Sequence, residues 1–391
     1  MPDIKAIQKE LRASKMDGWL FYDFRQRDRI AYRVLDLAPG MATRRWFYLI
    51  PARGEPRKLV HRIESGTLDS LPGQQMLYLG ENELRKGLRW LLGRAKKVAM
   101  QYSPLNALPD VSTVDAGTIE LVQNLGRKVV SSAELVQKFE ARWTPEQLDT
   151  HLQAGRIIDR IMNQAFGQAG AYVRQKKGFT EYDLQQWILE QFRANLITSD
   201  GPPIVAVGPN SGNPHYEPRQ ESSQPICEGD LLLVDIWART RAPMSVYYDI
   251  TWTGFLGTSV PAKYAKIFSI VKEARDRAVA FVQDAVRAGK VIRGWEVDRV
   301  ARETISNAGY AKWFIHRTGH SIGQEVHGNG ANLDSLETRD DRRIVPHTCY
   351  SVEPGIYLPE FGIRSEVNVY VADRNVRVTG AVQNEIIAIL A

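Results

Sequence analysis

The sequence predicts a two-domain protein of the α/β (α+β) class. A small mixed-sheet domain covers residues 1–143, and a larger domain with two pseudo-symmetric halves covers 144–391. Three observations predict this. Up to residue 143, helical patterns alternate with short apolar strands. Thr144-Pro145-Glu146-Gln147 then supplies a capping residue, Pro at the first helical position and Gln at the third, a strong helix start. After it, the order helix, helix, acid-bearing hairpin occurs twice, a quasi-repeat of architecture without residue identity.

Taken in order, an amphipathic opening helix leads to strands at Gly18–Phe24, Arg45–Ile50, Lys58–Ile63 and Met76–Leu79. A helix over Glu81–Arg94, a strand over Lys97–Tyr102 and a helix over Val114–Asn124 follow, and Ala133–Phe139 closes the section. This first domain has no metal-ligand cluster, phosphate loop or nucleophile motif, and His61 reads as structural. The second domain opens with helices from Pro145 toward Arg174 and over Thr180–Asn195, then a short strand, Ile204–Val207. Further helices span Ala262–Ala288 and Trp295–Asn307, a strand-and-turn segment covers Lys312–Gly323, and a last strand pair ends in Ile386–Leu390.

The two hairpins carry the unusual chemistry. Cys349–Tyr370 alternates on both sides of Pro354-Gly355, and a Tyr357–Gly362 loop pairs Ile356 with Ile363 and sets Glu353 opposite Glu366. Leu231–Ala238 and Val246–Phe255, with a turn centred on Ala242, set Asp235 opposite Asp249. Directly opposed carboxylates repel, and buried ones are costly without positive charge.

Bulk properties narrow the class. With 43% hydrophobic and 25% charged residues, the chain is an ordinary globular protein. No apolar run approaches the roughly 20 residues that span a bilayer, and the N-terminus lacks a signal peptide's apolar core. Two distant cysteines, Cys227 and Cys349, argue against a disulfide framework and fit a reducing cytosol, so a cytoplasmic location is expected. The net charge of +6 resides in residues 1–150, scattered and often beside acids, which reads as solvated surface. Neither nucleic acid nor membrane is expected as a partner.

Four carboxylates balance two divalent cations, and His320, between Gly319 and Gly323, adds an imidazole nitrogen. An oxygen-rich set with one nitrogen and no thiolate suits Mn²⁺, Co²⁺, Fe²⁺ or Zn²⁺. Two such ions sharing a water make it a nucleophile at neutral pH, which points to metal-assisted hydrolysis, most naturally of an amide. His316 and His320 are four apart, but Gly319, Gly323 and Thr318 make a poor helix and no Glu follows His316, so a zinc-protease helix is rejected. His316, His320 and His327 are read as lining one site, with His215 close to it. His151 and His347 are read as surface or structural.

The ordered set Asp235, Asp249, His320, Glu353 and Glu366, in the words VDIWA, YYDITWTG, HRTGHSIG, SVEPGIY and GIRSEVNV, resembles the pita-bread metallopeptidases. That family includes methionine aminopeptidase, aminopeptidase P, prolidase and the metal-free creatinase. The resemblance implies a creatinase-type N-terminal domain followed by a pita-bread catalytic domain. It implies that Asp235 chelates one metal, that His320 and Glu353 hold the other, and that Asp249 and Glu366 bridge. It makes His215 a substrate-contacting histidine and His327 a stabiliser of the tetrahedral intermediate, and has His316 shape the leaving-group pocket. It further implies that Arg364 orients the acids and that Glu353 shuttles the proton.

The implied activity is that of a dinuclear exopeptidase on short peptides, with Xaa-Pro bonds as favoured substrates. Mn²⁺ is the leading cofactor, and a homodimer is implied. Three departures alter the surroundings of the ligands. The two aspartates are 14 residues apart, wider than the family's usual spacing; Gly328 rather than Glu follows His327; and Val367 rather than Asp follows Glu366. A creatinase-like hydrolase of a non-peptide C–N bond is the alternative, and a silent binding protein on the same fold the third reading.

Overall fold

A computed structural model of the chain describes residues 2–38 and 40–391. It divides into two compact units, Met1–Glu140 and Ala141–Ala391. The first is a six-stranded mixed sheet: β1 (Gly18–Asp23), β2 (Trp46–Pro51), β3 (Arg57–His61), β4 (Gln74–Tyr78), β5 (Lys97–Met100) and β6 (Lys128–Ser131). Their order is β4-β3-β2-β1-β5-β6. The β1–β2 and β2–β3 pairs are antiparallel and the others parallel. Strand alternation divides its core: Trp19 and Phe21 of β1 join one apolar cluster, Leu20 and Tyr22 the other. Helices α1 (Ile4–Ala13), α2 (Arg29–Leu35), α3 (Glu81–Leu92), α4 (Ala116–Gln123) and the short α5 (Ala133–Val136) complete the unit.

Two of these elements are absent from the sequence reading. Helix α2 spans seven residues and is fixed by the Asp28 side chain, which accepts the Ala31 amide. Strand β6 has four residues and gains its meaning only from pairing with β5. Both are too short for periodicity to reveal.

The second unit has two halves. Helices α6 (Pro145–Arg174) and α7 (Glu181–Ala194), each begun by a capping box, pack on the first sheet. That sheet contains β7 (Ile197–Thr198), β8 (Ile204–Val207), β9 (Leu231–Thr240) and β10 (Tyr248–Phe255). Helices α8 (Ala262–Arg287) and α9 (Gly294–Asn307) share the second apolar cluster with the second sheet. That sheet runs β11 (Ser321–Ile322), β12 (Thr348–Val352), β15 (Val367–Val371), β16 (Val376–Thr379), with the hairpin β13 (Gly355–Tyr357) and β14 (Gly362–Arg364) beside it. The expected final strand pair does not form: β16 pairs with β15, and the short strand β17 (Ile387–Ala388) crosses back to pair with β10. The Lys312–Gly323 segment contains a 3₁₀ turn and only the two-residue β11, so His316 sits on irregular backbone. Arg302 of α9 holds that backbone, donating to Phe314 O at 3.1 Å and His316 O at 2.8 Å.

The register of the first hairpin differs from the expected one. Asp235 pairs with Thr251, and Asp249 with Trp237. Val246 and Tyr247, expected in the strand, bond elsewhere: the Val246 amide to Thr150 Oγ1, the Tyr247 amide to Gly323 O, and the Tyr247 carbonyl to His151. The turn centre moves from Ala242 to Pro243. A shift of two along the ladder keeps every side chain on its face, so Asp235 and Asp249 are diagonal neighbours on one face rather than directly opposed. The second hairpin has the expected register, Ile356 opposite Ile363, with a tighter loop closed by the Leu358 amide on Phe361 O at 2.9 Å.

Candidate metal centre

The second hairpin is interrupted where its acids sit. The β12–β15 ladder ends at Val352↔Val367 and the β13–β14 ladder begins at Gly355↔Arg364. Between them the amide of Glu353 bonds to Thr318 O at 2.7 Å and that of Glu366 to Thr251 O at 3.2 Å. Glu366 is thereby stitched to the strand that carries Asp249. Gly319 allows this assembly: a Cβ there would stand 1.9 Å from Ser351 O. The close approach lets the His320 amide donate to Ser351 Oγ at 2.9 Å, while that hydroxyl donates to Glu353 Oε1 at 3.1 Å.

Ligand-type atoms of Asp249, His320 and Glu366, all buried, lie within 4.8 Å of one another. His320 Nε2 is 3.5 Å from Asp249 Oδ2 and 3.4 Å from Glu353 Oε1. Its Nδ1 is 3.1 Å from Ser321 O, which can only accept, so Nδ1 carries the proton and Nε2 presents a lone pair. Burial pulls the imidazole below its ordinary pKa, which disfavours a second proton. A lone pair facing two carboxylates needs a cation between them. Asp235 Oδ1 and Glu366 Oε1 are buried without a hydrogen-bond partner. Burial, then the charge of Asp235, pushes the Asp249 carboxyl well above its usual range. Burial, then Asp249, does the same to Glu366, and burial raises Glu353. A cation held among these carboxylates would offset that cost. The donor set present fits divalent metal.

Arg364 is buried and holds the remaining groups. It donates from Nη2 to Asp235 Oδ2 at 2.6 Å, from Nε to Thr251 Oγ1 at 2.9 Å and from Nη1 to Tyr357 Oη at 3.0 Å. The Thr251 hydroxyl donates a hydrogen bond to Glu366 Oε2 at 2.8 Å. His316 Nδ1 is 2.6 Å from Arg317 O and so donates to it; Nε2 then accepts from Tyr357 Oη at 2.7 Å. Burial takes His316 down to about 3, which keeps it neutral. His327 stands edge-on to His320, ring centroids 4.4 Å apart. The neighbouring His320, then burial, lowers its pKa strongly.

All nine sequence-predicted side chains, His215, Asp235, Asp249, His316, His320, His327, Glu353, Arg364 and Glu366, line one cavity of about 390 Å³. His215 and His327 are exposed at it, while His320, Asp249 and Glu366 are buried. Larger clefts of about 700 and 790 Å³ in the first unit have no histidine in their walls. His151, read as surface or structural, is fully buried between Tyr247 O and Thr379 Oγ1, both at 2.6 Å. His347 bonds to Tyr370 Oη and Asp373.

Sequence reading missed Thr251, Trp237, Tyr357 and Asp200. Trp237 lines the cavity opposite Asp249 and donates to Asp200 at 2.9 Å. Thr251 and Trp237 each follow a predicted ligand by two residues, so strand period alone would have put them on its face. The Gly328 that replaces an acid after His327 also has a physical reason. A Cβ there would stand 3.1 Å from both Gly323 N and Ser321 Oγ.

The profile of metallopeptidase family M24 matches residues 149–373. Among relatives, an Xaa-Pro dipeptidase of Lactobacillus helveticus is 30% identical over 237 residues, 60% of this chain and 58% of that protein's length. A probable dipeptidase PepE of Mycobacterium bovis is 27% identical over 334 residues, 83% of this chain and 80% of that one. The crystal structure of dipeptidase PepE from Mycobacterium ulcerans superposes with a TM-score of 0.73 at 23% identity, covering 99% of this chain and 96% of that one, a likeness of fold.

Proposed function

The chain belongs to metallopeptidase family M24, and from that premise we propose that it is an exopeptidase that cleaves Xaa-Pro bonds in short peptides. The observation that carries this reading is the His320 Nε2 lone pair facing Asp249 and Glu353 beside two buried, unpartnered carboxylate oxygens. The named activity of the Lactobacillus relative supports the substrate. Asp235, Asp249, His320, Glu353 and Glu366 hold two divalent ions in this reading, with Mn²⁺ suited to the oxygen-rich set. When bound, the metal supplies Lewis acidity toward the scissile carbonyl and lowers the pKa of water.

The chain's own groups do the rest. Glu353, held by Ser351 on the cavity side, takes and returns the proton. His215 and the neutral His327, both exposed at the cavity, contact the substrate in this reading, and His316 shapes the leaving-group side. Arg364 keeps Asp235 and Thr251 in place. We assign the first unit as the creatinase-type domain and the second as the pita-bread catalytic domain. A homodimer and a cytoplasmic location complete the proposal, the latter supported by two unpaired cysteines. No helix among the described residues is long and apolar enough to cross a membrane.

The test is an assay of purified protein loaded with Mn²⁺ or Co²⁺ against Xaa-Pro dipeptides and Xaa-Pro-Yaa tripeptides, with metal content measured in the same sample. Turnover of one of these and about two ions per chain is the expected result. Loaded protein that cleaves neither sinks the peptide reading.

A further inference from the structure

Glu181, the first residue of α7, is fully buried, and its carboxylate meets only donors. Oε1 accepts from the Val207 amide at 2.7 Å and Asn210 Nδ2 at 3.0 Å. Oε2 accepts from Tyr216 Oη at 2.7 Å, the Gln224 amide at 2.9 Å and Asn210 Nδ2 at 3.1 Å. No basic side chain is ion-paired with it among the described residues, so the helix N-terminus and these donors alone balance the group. Burial and Glu181 together hold the Tyr216 phenol well above its ordinary pKa, which keeps it a donor.

All four partners come from residues 207–224. That segment has little regular structure, a 3₁₀ turn at Gly208–Gly212, and it carries His215. Its other side is tied to the second hairpin: the Gly362 amide donates to Ser211 Oγ at 2.8 Å, and Arg364 Nη1 reaches Pro214 O at 3.4 Å. His215 is the exposed residue between these two anchorages, and Tyr216, its neighbour, is bonded directly to Glu181.

We propose that Glu181 is a positioning residue for His215: one buried carboxylate gathers the loop and fixes where that imidazole enters the cavity. The role rests on the proposed function, in which His215 contacts substrate. Glutamine has the same shape but cannot replace the group. Its NH₂ would face donors at Val207 and Asn210, or at Tyr216 and Gln224, and leave them unpaired.

Hydrogen exchange and kinetics test this together on the full-length, metal-loaded protein. In Glu181→Gln, amides of residues 207–224 exchange at least about tenfold faster than in the wild type, while α6 and β10 are unchanged. On an Xaa-Pro dipeptide, kcat/KM falls about tenfold to a hundredfold. The double variant with His215→Ala falls no further than His215→Ala alone. Equal exchange across 207–224 overturns the proposal, and so does a double variant whose losses multiply. If Glu181→Gln does not fold, Tyr216→Phe removes one bond and predicts the same pattern at smaller amplitude; unchanged exchange there overturns it equally. A wild type that cleaves no Xaa-Pro peptide defeats the proposed function, and exchange alone then decides the positioning role.

Discussion

The two acid-bearing hairpins reach similar chemistry by different constructions. The β9–β10 ladder is continuous through Asp235 and Asp249, which sit diagonally on one face. The second hairpin keeps one register from Thr348 to Tyr357 but loses its pairing where Glu353 and Glu366 stand. A continuous ladder holds side chains by the strand's own pleat. An interrupted one gives up those bonds and takes its position from partners far along the chain, Thr318 and Thr251. The first pair is a property of a strand, and the second a property of the assembled unit.

The largest expected effect removes a proposed shared ligand. Asp249→Asn, and separately Glu366→Gln, should each cost more than about 10³-fold in kcat/KM, roughly 4 kcal/mol, with Mn²⁺ binding lost by calorimetry. The metal-free Asp249→Asn protein should melt higher than the metal-free wild type, because one buried carboxylate is gone. Full activity in either variant would remove the proposed bridging roles.

The next effect concerns His151, which bonds to Tyr247, just before β10, and to Thr379 of β16, and so joins the two halves. Burial brings its folded-state pKa down from 6.5 to about 4. The unfolded chain therefore binds more protons between those values, and the stability this residue contributes is lost as pH falls through that window. The contribution is on the order of 3 kcal/mol. It is read as the difference between the melting profiles of wild type and His151→Gln from pH 7 to 4; parallel profiles would contradict it.

A smaller effect separates the hairpins. Thr251→Val keeps the ladder but removes the hydroxyl between Arg364 and Glu366, and should weaken Mn²⁺ binding about tenfold. Unaltered affinity would show that Glu366 is held by its backbone alone. The smallest lies in the first hairpin's turn, where Met244 has φ of +58° and is exposed. Met244→Gly should raise stability by at most about 0.5 kcal/mol without moving the register, as measured by denaturant melts.

What the sequence made legible follows the same division. The alternation on both sides of Pro354-Gly355 was enough to set Ile356 opposite Ile363 and to bring Glu353 and Glu366 to one place. The first hairpin was read two residues out of register because Val246 and Tyr247 spend their backbone bonds on α6 and Gly323. No local pattern records such partners. Tyr357 was missed for a like reason: its hydroxyl matters through His316, 41 residues away. The five proposed ligands, which the structure brings to one cavity, stood out in the sequence because acids and an imidazole in that order and context are a specific pattern, whatever the loops do.

The stitch from the Glu366 amide to Thr251 O has a further consequence. Neither half of the second unit contains a complete centre. Of the proposed ligands, the N-terminal half supplies two aspartates and no imidazole, while the C-terminal half has His320 and two glutamates whose placement depends on a strand it lacks. Cut between β10 and α8, the fragments should each be inert and become competent only on recombination. Ion binding would then be a reporter of docking, and any step that separates the halves would release the ions before it exposes the cores.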